Sequence, residues 1–528
     1  MSRYDSILNL QTMRPVTRRS WMNESSTSRR RLSIQSRSYD DALQRLSLIA
    51  SNRRVTSLFE SAKPAGTPSP PSNLNAQAIP EMITSLRQAG YTPQDLASMR
   101  HIHVAGTKGK GSVCAFATSL LLRHHHHHHN RSRLSGSGVG TYTSPHLISP
   151  RERIAVDGEP VDKDVFAESV LEIWDRFTEA GVAEMGLSAE EAEGAASKPF
   201  YFRFMTIVAW HIFLKLGIRD VVMECGIGGE YDATNVLPAE AVSAAVITQL
   251  GIDHVAMLGD TVEKIAWHKA GILKPNVVGF TRRIPDQPSV MDVLRERAVE
   301  KQARLVEVDD ALIKAWGGVE GTLKGGFQRY NQALALMAVR QHLGLNTDPS
   351  SALQDVSPQE VAGLEQARLR GRCEIISQND VTWYLDGAHT QESLEQVAHW
   401  FRQSVPSDDA KPILIFNQQE RDASHLLEHL VTAIDRRPNA FSHALFTRND
   451  QSSSQEDGET QDLSVQRRAA GKMTELDPLC KTMVFGNIQD TVEEARSLAR
   501  EGGGKVLVTG SLHLVGGVLQ ALEPGEVS

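Results

Sequence analysis

Residues 101–112 read HIHVAGTKGKGS, a β-branched run, a glycine-rich turn and the start of an amphipathic stretch. These residue types in this order suit a phosphate cradle. Gly106, Gly109 and Gly111 let backbone N–H groups close on phosphate oxygens, and a helix N-terminus adds partial positive charge. Lys110 would neutralise the outer phosphates and Ser112 would ligate magnesium. The spacing departs from the strict G-x-x-x-x-G-K-[ST] pattern because Gly111 separates the lysine from the hydroxyl. A flexible turn with an incidental lysine is the alternative, and the flanking strand and helix patterns weigh against it. Further on, DVVME places Glu224 at the end of a buried strand, before Gly226, Gly228 and Gly229, while residues 244–249 lead into Gly251, Asp253 and His254. Ligands of open α/β sheets gather beyond the carboxyl ends of the strands. Glu224 and His254 could therefore converge on the magnesium that Ser112 touches, with oxygen donors suiting that ion better than imidazole.

Such groups need a sheet to hold them, and the chain has the pattern for one. Short apolar runs alternate with amphipathic stretches: 101–105 then 112–122, 220–223, and 244–249 then 261–270. This is the signature of a parallel sheet wrapped by helices. A second series follows Leu343, with strands expected at 381–385, 413–416 and 506–508 and a helix at 391–401. The expected division is a basic extension over 1–38, a first domain over 39–345 and a second over 346–528. Residues 39–51 read as a leading helix with Leu43, Leu46 and Ile49 on one side, followed by a proline-rich loop. Segments 123–138, 181–198 and 448–472 read as surface insertions, the first holding six histidines at 124–129 that are more simply a low-complexity loop than a metal site.

Bulk properties narrow the partners. With 528 residues, 40% hydrophobic and 23% charged, the chain is long enough for two cores. A formal charge of -8 argues against a general nucleic-acid binder. Cys114, Cys225, Cys373 and Cys480 lie far apart without metal-ligand spacing, and no apolar run is long enough to span a membrane. The first 38 residues hold eight arginines, no lysine and two acids, a bias shared by mitochondrial transit segments and by disordered basic tails.

A longer series of motifs resembles the folylpolyglutamate synthase family of Mur-type amide ligases. It comprises 106–112, TSPHL from Thr143, RERI from Arg151, ECGIGG from Glu224, GIDH from Gly251, IAWHKAGI from Ile265, QRYN from Gln328, Gly371 with Arg372, DGAH from Asp386, and GSL from Gly510. The resemblance implies a P-loop ATPase-like domain on a parallel sheet and a C-terminal Rossmann-like α/β domain, with a cleft between them. It implies that Ser112, Glu224, His254 and Lys269 surround the metal. Gly106, Thr107, Lys108, Gly109, Lys110 and Gly111 would hold ATP together with Asn331, Arg372, Asp386 and His389. Arg372 would reach the transferring phosphoryl group and Asp386 the nucleotide sugar, so that Lys110, His254, Lys269 and Arg372 form the catalytic set. Ser144, Pro145, His146, Arg151 and Arg153 match the substrate loop, where the arginines would meet an acidic tail. Thr390 departs from the asparagine of many relatives. The implied reaction adds L-glutamate to the γ-carboxylate of tetrahydrofolate or its polyglutamates, with dihydropteroate as the rival acceptor. Magnesium is the implied ion, with room for a monovalent cation, and a monomer in the cytoplasm or mitochondrial matrix is expected. An ammonium at Lys269 would repel the metal, so a carbamate on that side chain is a further expectation.

Overall fold

The computed structural model describes residues 37–50, 72–128, 138–405, 411–419, 422–434, 440–452, 462–502 and 504–524. The first apolar runs become β1 (Arg100–Ala105), β2 (Val139–Tyr142), β3 (Ile154–Val156), β4 (Glu159–Pro160), β5 (Asp220–Glu224), β6 (Val242–Ile247), β7 (Val278–Arg283) and β8 (Arg304–Asp309). They form one sheet in the order β4-β3-β2-β5-β1-β6-β7-β8. Strands β2, β5, β1, β6, β7 and β8 run parallel, while β3 and β4 form an antiparallel edge. Helices cover both faces, which is why β1 is buried at every residue after Arg100. Helices Lys163–Met185 and Tyr201–Leu216 supply Trp174, Phe177, Phe204 and Trp210 to one core. Helices Lys110–His128 and Gln328–Leu343 pack into the other.

The second sheet contains β9 (Glu374–Gln378), β10 (Val381–Leu385), β11 (Ile413–Phe416), β12 (His443–Phe446), β13 (Lys481–Val484) and β14 (Lys505–Thr509). Its order is β13-β12-β11-β14-β10-β9, with β9 alone antiparallel to its neighbour. Among the described residues no helix is long and apolar enough to cross a membrane. All four cysteines are buried.

Three expectations change. Residues 181–198 are not a loose insertion: Ala192 and Ser197 are buried, and Lys198 Nζ donates to Thr178 at 2.7 Å while lying 4.6 Å from the Trp174 ring centre. The stretch is polar in composition because its few buried groups are satisfied locally. The histidine run is not a loop as far as His128, since helix Lys110–His128 continues through it and His125 pairs with Asp220 at 2.9 Å. Residues 129–137 lie outside the described residues. Within 448–472, helix Ser464–Leu476 buries Gln466, Ala469 and Ala470 in the second unit, while 453–461 lie outside the described residues.

Helices Pro349–Gln354 and Pro358–Gln366 place Ala352, Leu353 and Leu364 in the core they share with helices Lys110–His128 and Gln328–Leu343. We therefore propose the domain changeover at 368–372, after the last of these contacts, rather than at 345/346. Of the basic extension only Arg37 and Ser38 are described; Arg37 pairs with Asp175 at 2.8 Å and Ser38 caps the leading helix Tyr39–Ile49. Leu364→Ala should destabilise the first unit by about 2–5 kcal/mol, the range for truncating a buried leucine. A urea titration followed through Trp174 and Trp210 should show the loss; an unchanged midpoint would move 358–366 out of the first unit.

Candidate active site

The carboxyl ends of β1, β5 and β6 meet at one level because their register puts Val104 opposite Glu224 and Ala105 opposite Ile247. The glycine turn leaves β1 there and is held by its neighbours. Thr107 and Lys108 donate backbone N–H groups to Gln249 O at 2.8 and 3.2 Å, and Thr248 Oγ1 donates to Lys108 O at 2.6 Å. Side chains are excluded at two points. A Cβ on Gly106 would fall 1.7 Å from Thr248 Oγ1, and one on Gly109, at φ +84°, would fall 2.3 Å from Asn331 Oδ1.

Lys110 turns back into the turn it leaves. Its Nζ donates to Gly106 O at 3.1 Å and lies 4.0 Å from Glu224 Oε1. Lys269 reaches the same carbonyl from below, with Nζ 2.8 Å from Gly106 O, and is buried. Burial, and then the charge of Lys110, push the Lys269 ammonium down to about 7. Glu224 is buried beside them. Burial raises its carboxyl above the ordinary value, opposed by Lys110, the Ser144 N–H, Arg372 and Arg153. Ser112 opens the adjoining helix and accepts from Gln328 Nε2 at 3.5 Å, while Asn331 donates to Gln328 Oε1 at 2.8 Å.

The walls of the cleft come from both sheets: Lys108, Lys110, Ser112, Glu224, His254 and Asn331 from the first unit, Arg372, Asp386, His389 and Ser511 from the linker and the second. Lys269 lies beneath the turn rather than on the wall. Asp386 accepts backbone N–H groups of Cys373 and Ala388 at 2.8 and 2.9 Å, so its carboxylate organises the turn carrying Arg372. His389 Nδ1 lies 3.0 Å from Gly387 O.

In the substrate loop, Ser144 N–H donates to Glu224 Oε2 at 3.1 Å, tying the loop to the strand end. Arg153 donates to His146 Nδ1 at 2.8 Å and lies over Tyr201, and burial with the charges of Arg153 and His513 pushes His146 down to about 3. Arg151 donates to Val161 O at 2.8 Å and faces the Tyr39 ring. Both arginines line the cleft beside Pro145, yet each already has a protein partner. Asp232 is a residue to which the motif reading gave no role. It accepts from Gly226 N and Ile227 N at 2.9 and 3.1 Å and from Thr234 Oγ1 at 2.6 Å, holding the glycine turn after Glu224. The detectable signal was an aspartate two residues before a threonine, the pattern of a side-chain-closed turn.

Among the described residues no three His, Cys, Asp or Glu side chains gather as a metal cage. A single buried carboxylate and a hydroxyl at a phosphate turn fit magnesium, which is commonly held by one or two carboxylates plus substrate phosphates.

A phosphate turn with its lysine, a buried strand-end carboxylate and an arginine presented across an interdomain cleft define an ATP-dependent ligase of the two-domain type. The family described as dihydrofolate synthetase, C-terminal domain, matches residues 370–521. Folylpolyglutamate synthase of Neurospora crassa is 39% identical over 524 residues, covering 94% of each chain. The Saccharomyces cerevisiae folylpolyglutamate synthase is 34% identical over 464 residues, 84% of this chain and 81% of that protein. Mycobacterium tuberculosis folylpolyglutamate synthase complexed with ADP and AMPPCP shares the fold, with a TM-score of 0.62 at 24% identity over 90% of this chain and 98% of that one. The chain belongs to the folylpolyglutamate synthase family.

A lysine depressed from 10.5 to about 7 binds fewer protons folded than unfolded between those values, so stability should rise with pH across that window. Lys269→Met should flatten this rise and be most stabilising, relative to the parent, at and below pH 7. Denaturation midpoints measured across the window check this, and parallel profiles for both proteins would contradict the buried-amine assignment.

Proposed function

We propose that the chain adds L-glutamate to the γ-carboxylate of tetrahydrofolate and its polyglutamates, using ATP to make an acyl phosphate first. The observation that carries the reading is one cleft lined by Lys110 of the phosphate turn, 4.0 Å from the buried Glu224 carboxylate, and by Arg372 from the other side. Such a pair of fixed cations serves a reaction in which two anions must meet.

A γ-carboxylate oxygen attacks the γ-phosphorus, the bond to the ADP oxygen breaks, and ADP leaves. The glutamate amine then attacks the acyl carbon. The C–O bond breaks, phosphate departs with the former carboxylate oxygen, and the amide nitrogen loses its proton. Lys110 and Arg372 offset charge on the transferring group, while Ser144 and Glu224 hold the acceptor loop against the phosphate turn. Magnesium would be held by Ser112 and Glu224, with His254 of the same cleft wall as a further candidate, and would supply charge neutralisation at the phosphates; a monovalent cation is a further candidate in the cleft. A carbamate on Lys269 would form from the neutral amine that its depressed proton affinity favours, and its remaining N–H would still be able to donate to Gly106 O. Action as a monomer is our reading of the family resemblance alone. Placement in the mitochondrial matrix would rest on the arginine-rich residues 1–38 alone, and placement in the cytoplasm on four scattered, free cysteines that suit a reducing compartment.

Labelled glutamate should enter product with tetrahydrofolate and ATP, and not with dihydropteroate or without acceptor. Incorporation into dihydropteroate at a comparable rate would support the rival activity. Glu224→Gln should fold and need markedly more magnesium for half-maximal turnover, whereas an unchanged magnesium titration would remove Glu224 from the metal site. Lys269→Arg should lose most activity and lack the carbamate carbon signal that the parent shows under labelled carbon dioxide. Normal turnover with no signal in either protein would end the carbamate assignment.

A further inference from the structure

The two lysines of the phosphate turn point to different partners. Lys110 stays within the turn, on Gly106 O and near Glu224. Lys108 leaves it: its Nζ donates to Thr390 Oγ1 and lies 3.1 Å from Glu392 Oε2. Both partners belong to the second unit, at the start of helix Gln391–Ser404.

Each end of this contact is anchored. On the first unit the Lys108 backbone is held by Gln249 and Thr248. Its neighbour Thr107 exchanges hydrogen bonds with Gly251 O and Gly251 N at 3.1 and 3.2 Å. On the second, Thr390 is the N-cap of its helix and closes a reciprocal box with Ser393. Glu392 also faces the Gly251 turn, since a Cβ there would lie 3.8 Å from its Oε2. One ammonium thus bridges the phosphate turn and a helix start on the far side of the cleft.

We propose that Lys108 is a positioning residue that clasps the second domain to the phosphate turn through Thr390 and Glu392, instead of serving as a ligand of the nucleotide. The clasp joins the two walls of the cleft, so it favours the arrangement in which Arg372 and Glu224 line the same cleft. An exposed ion pair adds little to overall stability. Where two domains exchange between arrangements of similar free energy, however, a modest preference for one state changes the fraction competent for catalysis.

This rests on the ligase reading, and the test separates the two. Lys108→Met, Glu392→Lys and the double variant of the full chain are compared by kcat/KM for ATP at saturating tetrahydrofolate and glutamate. Glu392→Lys should lose at least about fivefold, the lower end of ordinary coupling between sites. In the Lys108→Met background the same change should cost nothing further, because no ammonium remains to be repelled. Lys108→Arg should retain most activity, and added salt should slow the parent more than Lys108→Met, since exposed pairs are screened. Small-angle scattering should give Glu392→Lys a larger radius of gyration than the parent. Multiplying effects in the double variant, or a full loss in Lys108→Met with Glu392→Lys at the parental rate and radius, would overturn the clasp and return Lys108 to the phosphates. If the parent incorporates no glutamate, the ligase reading fails while the scattering comparison still decides the clasp.

Discussion

The structure turns on one backbone carbonyl, Gly106 O, which accepts hydrogen bonds from two lysines at 3.1 and 2.8 Å. Burial penalises an ammonium at that place first, and the charge of the neighbouring lysine adds to the penalty. Lys269, the more enclosed, takes the depressed proton affinity, leaving Lys110 as the cation that faces Glu224 and the cleft. This division needs three strand ends at a common level, and that level is set by the register of β1 with β5 and β6. A glycine at 106 is required for the same reason: the carbonyl can turn toward both amines only where no Cβ meets Thr248.

From this centre the roles of the two sheets separate. The larger one supplies the turn, the carboxylate and the hydroxyl, all on elements locked by helices on both faces. The smaller one supplies Arg372 through a turn that Asp386 organises by accepting two backbone N–H groups. Asp386 is buried, and burial raises its carboxyl above the ordinary value while Arg372 opposes the shift. The cation that must approach the phosphates is therefore steadied from within its own domain.

Much of this was legible from residue patterns. The strands at 101–105, 220–224 and 381–385 were visible because parallel strands buried on both faces are continuous apolar runs, and the phosphate turn was visible because its glycines are spaced by backbone geometry. What escaped notice depends on contacts between distant residues. Residues 346–367 read as the start of the second domain, yet Leu364 finds its core beneath helix Lys110–His128. Polarity suggested that His125 and Lys198 sit in loops, whereas each belongs to packed structure through one partner, Asp220 or Trp174. Arg151 and Arg153 were legible as cleft arginines; that Val161 and His146 would each engage one Nε, and so orient them, was not. The same limit applies to Lys108, whose type suggested phosphate and whose contacts lie across the cleft.

The central claim is that this charge arrangement serves formation of an acyl phosphate at the phosphate turn. Positional isotope transfer tests it most directly. Tetrahydrofolate carrying oxygen-18 in its γ-carboxylate is incubated with ATP, magnesium, glutamate and the enzyme, and the released phosphate is analysed by mass spectrometry. The account predicts one labelled oxygen per phosphate released, because the carboxylate oxygen leaves with the phosphoryl group when the amide forms. Glutamate incorporation with unlabelled phosphate would contradict it.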